Sequence, residues 1–227
     1  MRRARLLPAA AVAALVGCTA LDTGAAADPR ASLTTASATA TVAAAPPMPA
    51  PDAKPAAPDP KTATALLSMP TIGVKDLKVV PYEGTTDDRA GTVIQDRGVA
   101  ASPYGKRGGV GPGEVGNYLV TAHRLSAGGP MRDLPALKKG DSVFVQLGGT
   151  VYEYRITDTR KTSFRSERSL AEQRAAVPGK PGERPTRAMI TLSTCATPED
   201  HAAGNFWSDA QGNPEHRIDK IGVLVSR

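Results

Sequence analysis

The chain has 227 residues, 28 lysines and arginines against 22 aspartates and glutamates, and a formal net charge of +6. Its charges of both signs are interspersed, as in "RKTSFRSERSLAEQR", which describes a mixed solvated surface rather than a basic stripe. With no zinc-type Cys/His spacing and no RNA-binding aromatic pattern, nucleic acid is set aside as a partner, and the excess charge suits an anionic wall or lipid surface better.

Residues 1–22 read as an export segment. "MRRAR" carries three arginines, and the sixteen residues from Leu6 to Leu21 are uncharged, with alanine the commonest residue. A membrane span wants roughly twenty apolar residues, so this run is short for one. "LVGC" at 15–18 is similar to the lipobox of bacterial lipoproteins, in which Cys18 would be lipidated and become the new N-terminus. Two readings stay open: a lipidated Cys18, which would need more than one acyl chain to hold, or a short signal anchor. Both place the rest of the chain on the extracytoplasmic face of a membrane.

Residues 23–65 are dominated by Ala, Pro, Thr and Asp, with almost no large apolar side chains. Such a stretch cannot offset the entropy of ordering it, and its prolines keep it extended. It is expected to be a disordered tether. Residues 66–227 then supply about 160 residues, enough for one domain with its own core.

Within that domain the elements are mostly strands. "SMPTIGVKDLKVVPYEG" gives one or two, broken at Gly73 and Pro81, and "AGTVIQDRG" gives another. "GKRGGVGPGEVG" is a glycine-rich loop without the Gly-Lys-Ser/Thr ending of a phosphate loop. "NYLVTAHR" is a strand running to His123, and "GGPMRDLPALKKGD" a loop with one helical turn. "DSVFVQLG" and "TVYEYRITDTRKTSF" make a hairpin about Gly148 and Gly149. "SERSLAEQRAAVPG" is the one helix, opened by a serine with a glutamate close behind and stopped at Pro178. "PTRAMITLSTC" and "HRIDKIGVLVSR" are the last strands, with "ATPEDH" between them as turn material. Seven to nine short strands with little helix predict an all-β fold, a small closed barrel of about eight strands.

There are only two cysteines, Cys18 and Cys195, so the exported domain holds one thiol and can form no internal disulfide. Cys195 sits where an apolar strand surfaces into a loop. His123 sits at a strand end too, while His201 and His216 lie in the polar stretch after the cysteine. A nucleophilic thiolate needs a base or cation beside it, and acyl transfer needs a donor for the oxyanion. Arg217 opens the last strand. If the strands flanking the loop 196–216 are antiparallel neighbours, Arg217 falls beside Cys195 with a guanidinium that stays charged at any working pH. A zinc site from Cys195, His201 and His216 is disfavoured by its short ligand count and irregular spacing.

"GNYLVTAHR", "TLSTC" some seventy residues later, and an arginine at the head of a final apolar strand together resemble the sortase family, as does "LKKGD" at Leu137–Asp141. The resemblance runs from Ser68 to Arg227 and is strongest to class E or class F enzymes of high-G+C Gram-positive bacteria. Ala122 stands where glycine is common, and the loop 196–216 is longer than is usual in class E. The resemblance implies a β-barrel cysteine transpeptidase. Cys195 would cleave an LPxTG- or LAxTG-like sorting signal between Thr and Gly and form a thioester, which an amine of a cell-wall precursor would resolve. His123 would serve as acid and base, Arg217 would hold substrate and oxyanion, and Thr194 would orient the site. No cofactor or metal is implied. The competing reading is a non-catalytic, surface-tethered β-domain that binds cell-wall polymer or protein, with Cys195 buried as a small apolar side chain.

Overall fold

The structure, a computed structural model, describes residues 58–227. The export segment, Cys18 and the linker as far as residue 57 lie outside the described residues. Among those described, no helix is long and apolar enough to cross a membrane.

Eight strands close into a barrel: β1 (Ala65–Met69), β2 (Val74–Glu83), β3 (Ala100–Tyr104), β4 (Gly116–Thr121), β5 (Ser142–Leu147), β6 (Thr150–Ser163), β7 (Ala188–Cys195) and β8 (His216–Ser226). Their order around the barrel is β1-β2-β3-β4-β7-β8-β6-β5, and β5 returns to β1 through Leu67↔Val145. Two neighbouring pairs, β2/β3 and β4/β7, are parallel, so the barrel is mixed. The β5–β6 hairpin turns at Gly148–Gly149 as expected, and Val143, Val145 and Leu147 face the core on alternate positions.

Three segments differ from the sequence reading. "AGTVIQDRG" is not a strand: Arg89–Gln95 is helix α1. Asp88 caps it, its carboxylate accepting from the Gly91 N–H at 2.9 Å and its carbonyl from the Thr92 N–H at 2.9 Å. Parallel strands need a crossover, and α1 supplies the one between β2 and β3. The strand missed nearby is β3 itself, in "AASPY". Pro81 does not break β2. The β1 partner runs out at Ala65↔Val79, so from there β2 is an edge on that side, where a missing N–H is tolerated. "TPEDHA" is also more than a turn, forming the short helix α3 (Thr197–Ala202). The helix read from "SERSLAEQR" is present as α2 (Glu167–Arg174), with Ser166 as its cap.

The barrel is filled by Leu67, Met69, Val120, Leu137, Tyr154, Ile156, Ile190 and Leu192, all at most 1 % exposed. The glycine-rich loop serves packing. Gly113 takes a φ of +77°, a methyl group there would run into the Tyr152 ring, and its N–H donates to the Tyr154 hydroxyl at 2.7 Å.

β7 is buried along both faces. Ile190 and Leu192 point into the barrel, while Thr191 and Ser193 lie under an outer cover formed with α2. That cover is polar and fully paired. Thr191 donates to the Asn117 side-chain oxygen, Asn117 donates to the carbonyls of Gln173 and Ala175, and the Gln173 amide donates to Ser193 and Asp219. A two-sided strand of this kind fixes register, because a slip of one residue would push hydroxyls into the apolar interior.

Leu67 has strands on both sides and no exposed surface. Leu67→Ala is expected to lower unfolding stability by about 2–5 kcal/mol, read from urea titrations monitored by circular dichroism.

Candidate active site

The last residue of β7 is Cys195, and across the β7–β8 ladder its partner is Arg217. On the other flank β4 runs parallel to β7 through Thr121↔Ser193. The chain stays alongside past the end of β4: the Ala122 N–H donates to the Ser193 carbonyl at 3.2 Å, and the Thr194 hydroxyl donates to the Ala122 carbonyl at 2.8 Å. Thr194 thus ties the cysteine strand to the segment that carries His123. Cys195 and His123 line one cleft of about 300 Å³, together with Asp96 just past the end of α1, Arg124 and Asn213. Three residues from three strand ends therefore meet at one rim of the barrel.

His123 donates or accepts through Nε2 with the Asp96 carboxylate at 2.9 Å. A carboxylate accepts, so this contact suits a ring N–H at Nε2 and turns Nδ1 away from Asp96. Asp96 is largely exposed, so the pair adds little stability and acts mainly on ring orientation.

Arg217 is 1 % exposed. Its Nη1 donates to the Cys195 sulfur. Nη2 donates to Asn213 Oδ1 at 2.8 Å and forms an ion pair with Asp87 Oδ1 at 3.0 Å, while the Phe164 ring lies 4.8 Å from the guanidinium carbon. Burial works against the charge, but Asp87 and the sulfur outweigh it and hold the guanidinium protonated. For Cys195 the balance runs the other way. Burial pushes the thiol up and Asp87 adds to it, and Arg217 only partly opposes them.

The sequence did not single out Asp87, Asp96, Arg124 or Asn213. Arg124 clamps the site from outside. Its Nε donates to the Arg132 carbonyl at 2.7 Å, and Nη1 reaches the Cys195 carbonyl at 3.2 Å. The same guanidinium holds the Glu199 carboxylate through two bonds of 3.1 Å. Burial alone would raise Glu199, but the Arg124 bonds outweigh it and keep the carboxyl below its usual range. Asn213 arrives through the loop 196–216, whose tip is tied by Asp209 accepting from the N–H groups of Gln211 and Asn213 at 2.9 and 2.8 Å. The two remaining histidines are used within that loop. His216 donates its N–H to Asp200 Oδ2 at 3.0 Å and pairs through Nδ1 with Oδ1 at 2.8 Å, and His201 stacks on Phe206 with centroids 4.8 Å apart.

The sortase-domain family model matches residues 67–211, a span that holds His123, Thr194 and Cys195 and ends just before Arg217. The chain belongs to the sortase family. It is a cysteine transpeptidase acting on peptide bonds, with Cys195 its buried thiol. Among solved structures it is similar to sortase E of Streptomyces avermitilis, at 27% identity and a TM-score of 0.51, covering 74% of this chain and 91% of that one. It is also similar in fold to the SrtA sortase of Actinomyces oris, at 23% identity and a TM-score of 0.54, covering 71% and 78%. Sortase E1 of Streptomyces coelicolor, solved with a tripeptide in its active site, aligns at 23% identity and a TM-score of 0.52, covering 74% and 91%. No curated protein sequence matches the chain.

Asp200 anchors the loop of this sortase to the head of β8. Burial would raise its carboxyl, but the His216 N–H and ring outweigh that, and Lys161 adds to them, so its pKa lies below the ordinary value. A depressed carboxyl contributes stability that is fully present above its unfolded pKa of about 3.9 and is lost as pH falls through the folded value. Asp200→Asn should therefore cost about 1–3 kcal/mol at pH 7. The gap to wild type should close below about pH 4, as checked by denaturant titration at both pH values.

Proposed function

We propose that this sortase cleaves an LPxTG- or LAxTG-like sorting signal between Thr and Gly and transfers the acyl group to an amine of a cell-wall precursor. It would do so on the extracytoplasmic face of a membrane, held there by residues 1–22 or by lipid on Cys18. The reading is supported above all by the Cys195–Arg217 register pair with His123 beside it in the same cleft.

In this proposal the Cys195 sulfur attacks the threonyl carbonyl carbon and the C=O π pair moves onto oxygen. Arg217 Nη1 already donates to that sulfur, so the oxyanion forms within reach of a donor that does not have to reorganise. His123 takes the thiol proton at Nδ1 and delivers it to the departing glycine amine as the C–N bond breaks, leaving a thioester. The incoming amine attacks that thioester, His123 receives its proton, and the sulfur leaves. Burial pushes the thiol up, which works against the nucleophilic thiolate, and turnover is expected to be slow. The linker would carry the domain away from the bilayer toward its clients, sorting-signal-bearing surface proteins.

The test incubates the chain with LPxTG and LAxTG peptides and hydroxylamine. Mass spectrometry should find the threonyl hydroxamate with wild type and none with Cys195→Ala or His123→Ala. Arg217→Ala should lose about 10²–10³ in kcat, measured on the fraction that circular dichroism shows to be folded. Normal turnover by that variant would sink the oxyanion role. Separately, Cys18→Ser should abolish metabolic lipid labelling if the anchor is a lipid, and leave membrane association intact if it is the apolar run.

A further inference from the structure

A guanidinium as enclosed as that of Arg217 points where its partners aim it. Two of those partners meet its Nη2: Asn213 Oδ1 at 2.8 Å and Asp87 Oδ1 at 3.0 Å. Asp87 comes from the turn between β2 and α1, is 4 % exposed, and holds a φ of +57°, a left-handed conformation that a non-glycine residue adopts only under local constraint. A second bond fixes it there, from Nε2 of the buried Gln95 at 3.0 Å. Both bonds use Oδ1. Asp87 Oδ2 is buried with no donor, and Arg217 Nε is buried with no acceptor. The carboxylate and guanidinium are thus joined through one oxygen and one nitrogen, and not through the parallel two-bond fork that such a pair makes when stability alone sets the geometry. The single-point contact turns Nη1 onto the Cys195 sulfur.

We propose that Asp87 is a positioning residue of the transpeptidase: its carboxylate aims the Arg217 guanidinium at the Cys195 sulfur, and its negative charge tempers what that guanidinium does to the thiol. The inference rests on the reading of Cys195 and Arg217 as reacting groups, but its test needs no turnover. The thiol is faced by Arg217 from β8 with Asp219 behind it, by Asp87 from the turn, by His123 and its partner Asp96 across the cleft, and by Arg124 at the Cys195 carbonyl. Among them Arg217 favours the thiolate and Asp87 opposes it.

The two roles of Asp87 separate in two variants. Asn at this position keeps an Oδ1 that accepts from Gln95 Nε2, which holds the side chain in place beside Nη2, and its new NH₂ replaces an oxygen that has no donor partner, so the side chain keeps its position while the charge is removed. Ala removes both. The measurement is the pH dependence of Cys195 alkylation by iodoacetamide, followed by mass spectrometry, on wild type, Asp87→Asn and Asp87→Ala. The midpoint is expected to fall below wild type in Asp87→Asn, where the guanidinium acts on the sulfur untempered. It is expected to rise above wild type in Asp87→Ala, where the guanidinium is released. A purely structural residue would move both midpoints the same way or neither, and either result overturns the proposal. A higher plateau rate in both variants at an unchanged midpoint would also overturn it, since the turn would then merely cover the thiol. If Asp87→Ala fails to fold, Asp87→Asn alone decides, because the proposal requires its downward displacement. Hydroxamate formation gives a second readout: kcat for Asp87→Ala should drop about a hundredfold with KM nearly unchanged. Absence of hydroxamate in wild type would count against the assigned reaction without touching the alkylation result.

Discussion

A buried arginine imposes the strictest condition on this molecule. Taking a guanidinium out of water costs several kcal/mol unless its charge and its donors are met. Arg217 sits at 1 % exposure, so the protein must bring an anion, acceptors and a soft face to it from separate parts of the chain. Asp87 arrives from the turn after β2, Asn213 from the tip of the loop before β8, Phe164 from just past the end of β6, and the Cys195 sulfur from β7. The elements that surround the reactive rim are thereby drawn onto one charge. Helix α2 joins indirectly, through Gln173 and Asp219, the latter held toward its protonated form by burial despite donors from Thr162 and Gln173.

Strand β7 serves the core and the candidate site on the same eight residues. Its inward side chains belong to the apolar core, where packing keeps the strand in place to a fraction of an ångström. Its outward side chains form a ladder of hydroxyls that ends in the thiol. The sulfur thus sits at the end of a rigid rod and not on a loop, and the segment that carries His123 is tied to that rod by Thr194 bonding the Ala122 carbonyl and Arg124 bonding the Cys195 carbonyl. Rigidity in the supporting elements is what keeps reacting groups within the narrow distances that acyl transfer demands.

Much of this was legible in the linear sequence. Period-two apolar patterns marked several of the strands, the glycine pair marked the hairpin, and a lone cysteine and a histidine at two strand ends marked the candidate site. Arg217 could be placed because an antiparallel pair joined by one loop has to bring its two ends together. What stayed hidden depended on tertiary context. "AGTVIQ" has strand-like Val and Ile, and only the Asp88 cap and the parallel partner of β2 make it helical. Asp87 and Asp96 look like ordinary surface acids, since nothing local tells an acid that faces water from one folded onto a buried guanidinium. The doublet Asp87-Asp88 before a helix was a usable hint: one cap needs one acid, and the second was spare. Asn213 carried no signal, because the fold of its loop is set by its own side chains and not by any periodicity.

The strand order has a kinetic corollary. β7 is gripped between β4, whose end lies some seventy residues upstream, and β8, the eleven residues that finish the barrel. Pairings that span so much chain cannot form early, since loop-closure entropy must be met before any contact repays it. Arg217 sits on β8, the last strand described, so until β8 docks Cys195 has no guanidinium across the ladder from it.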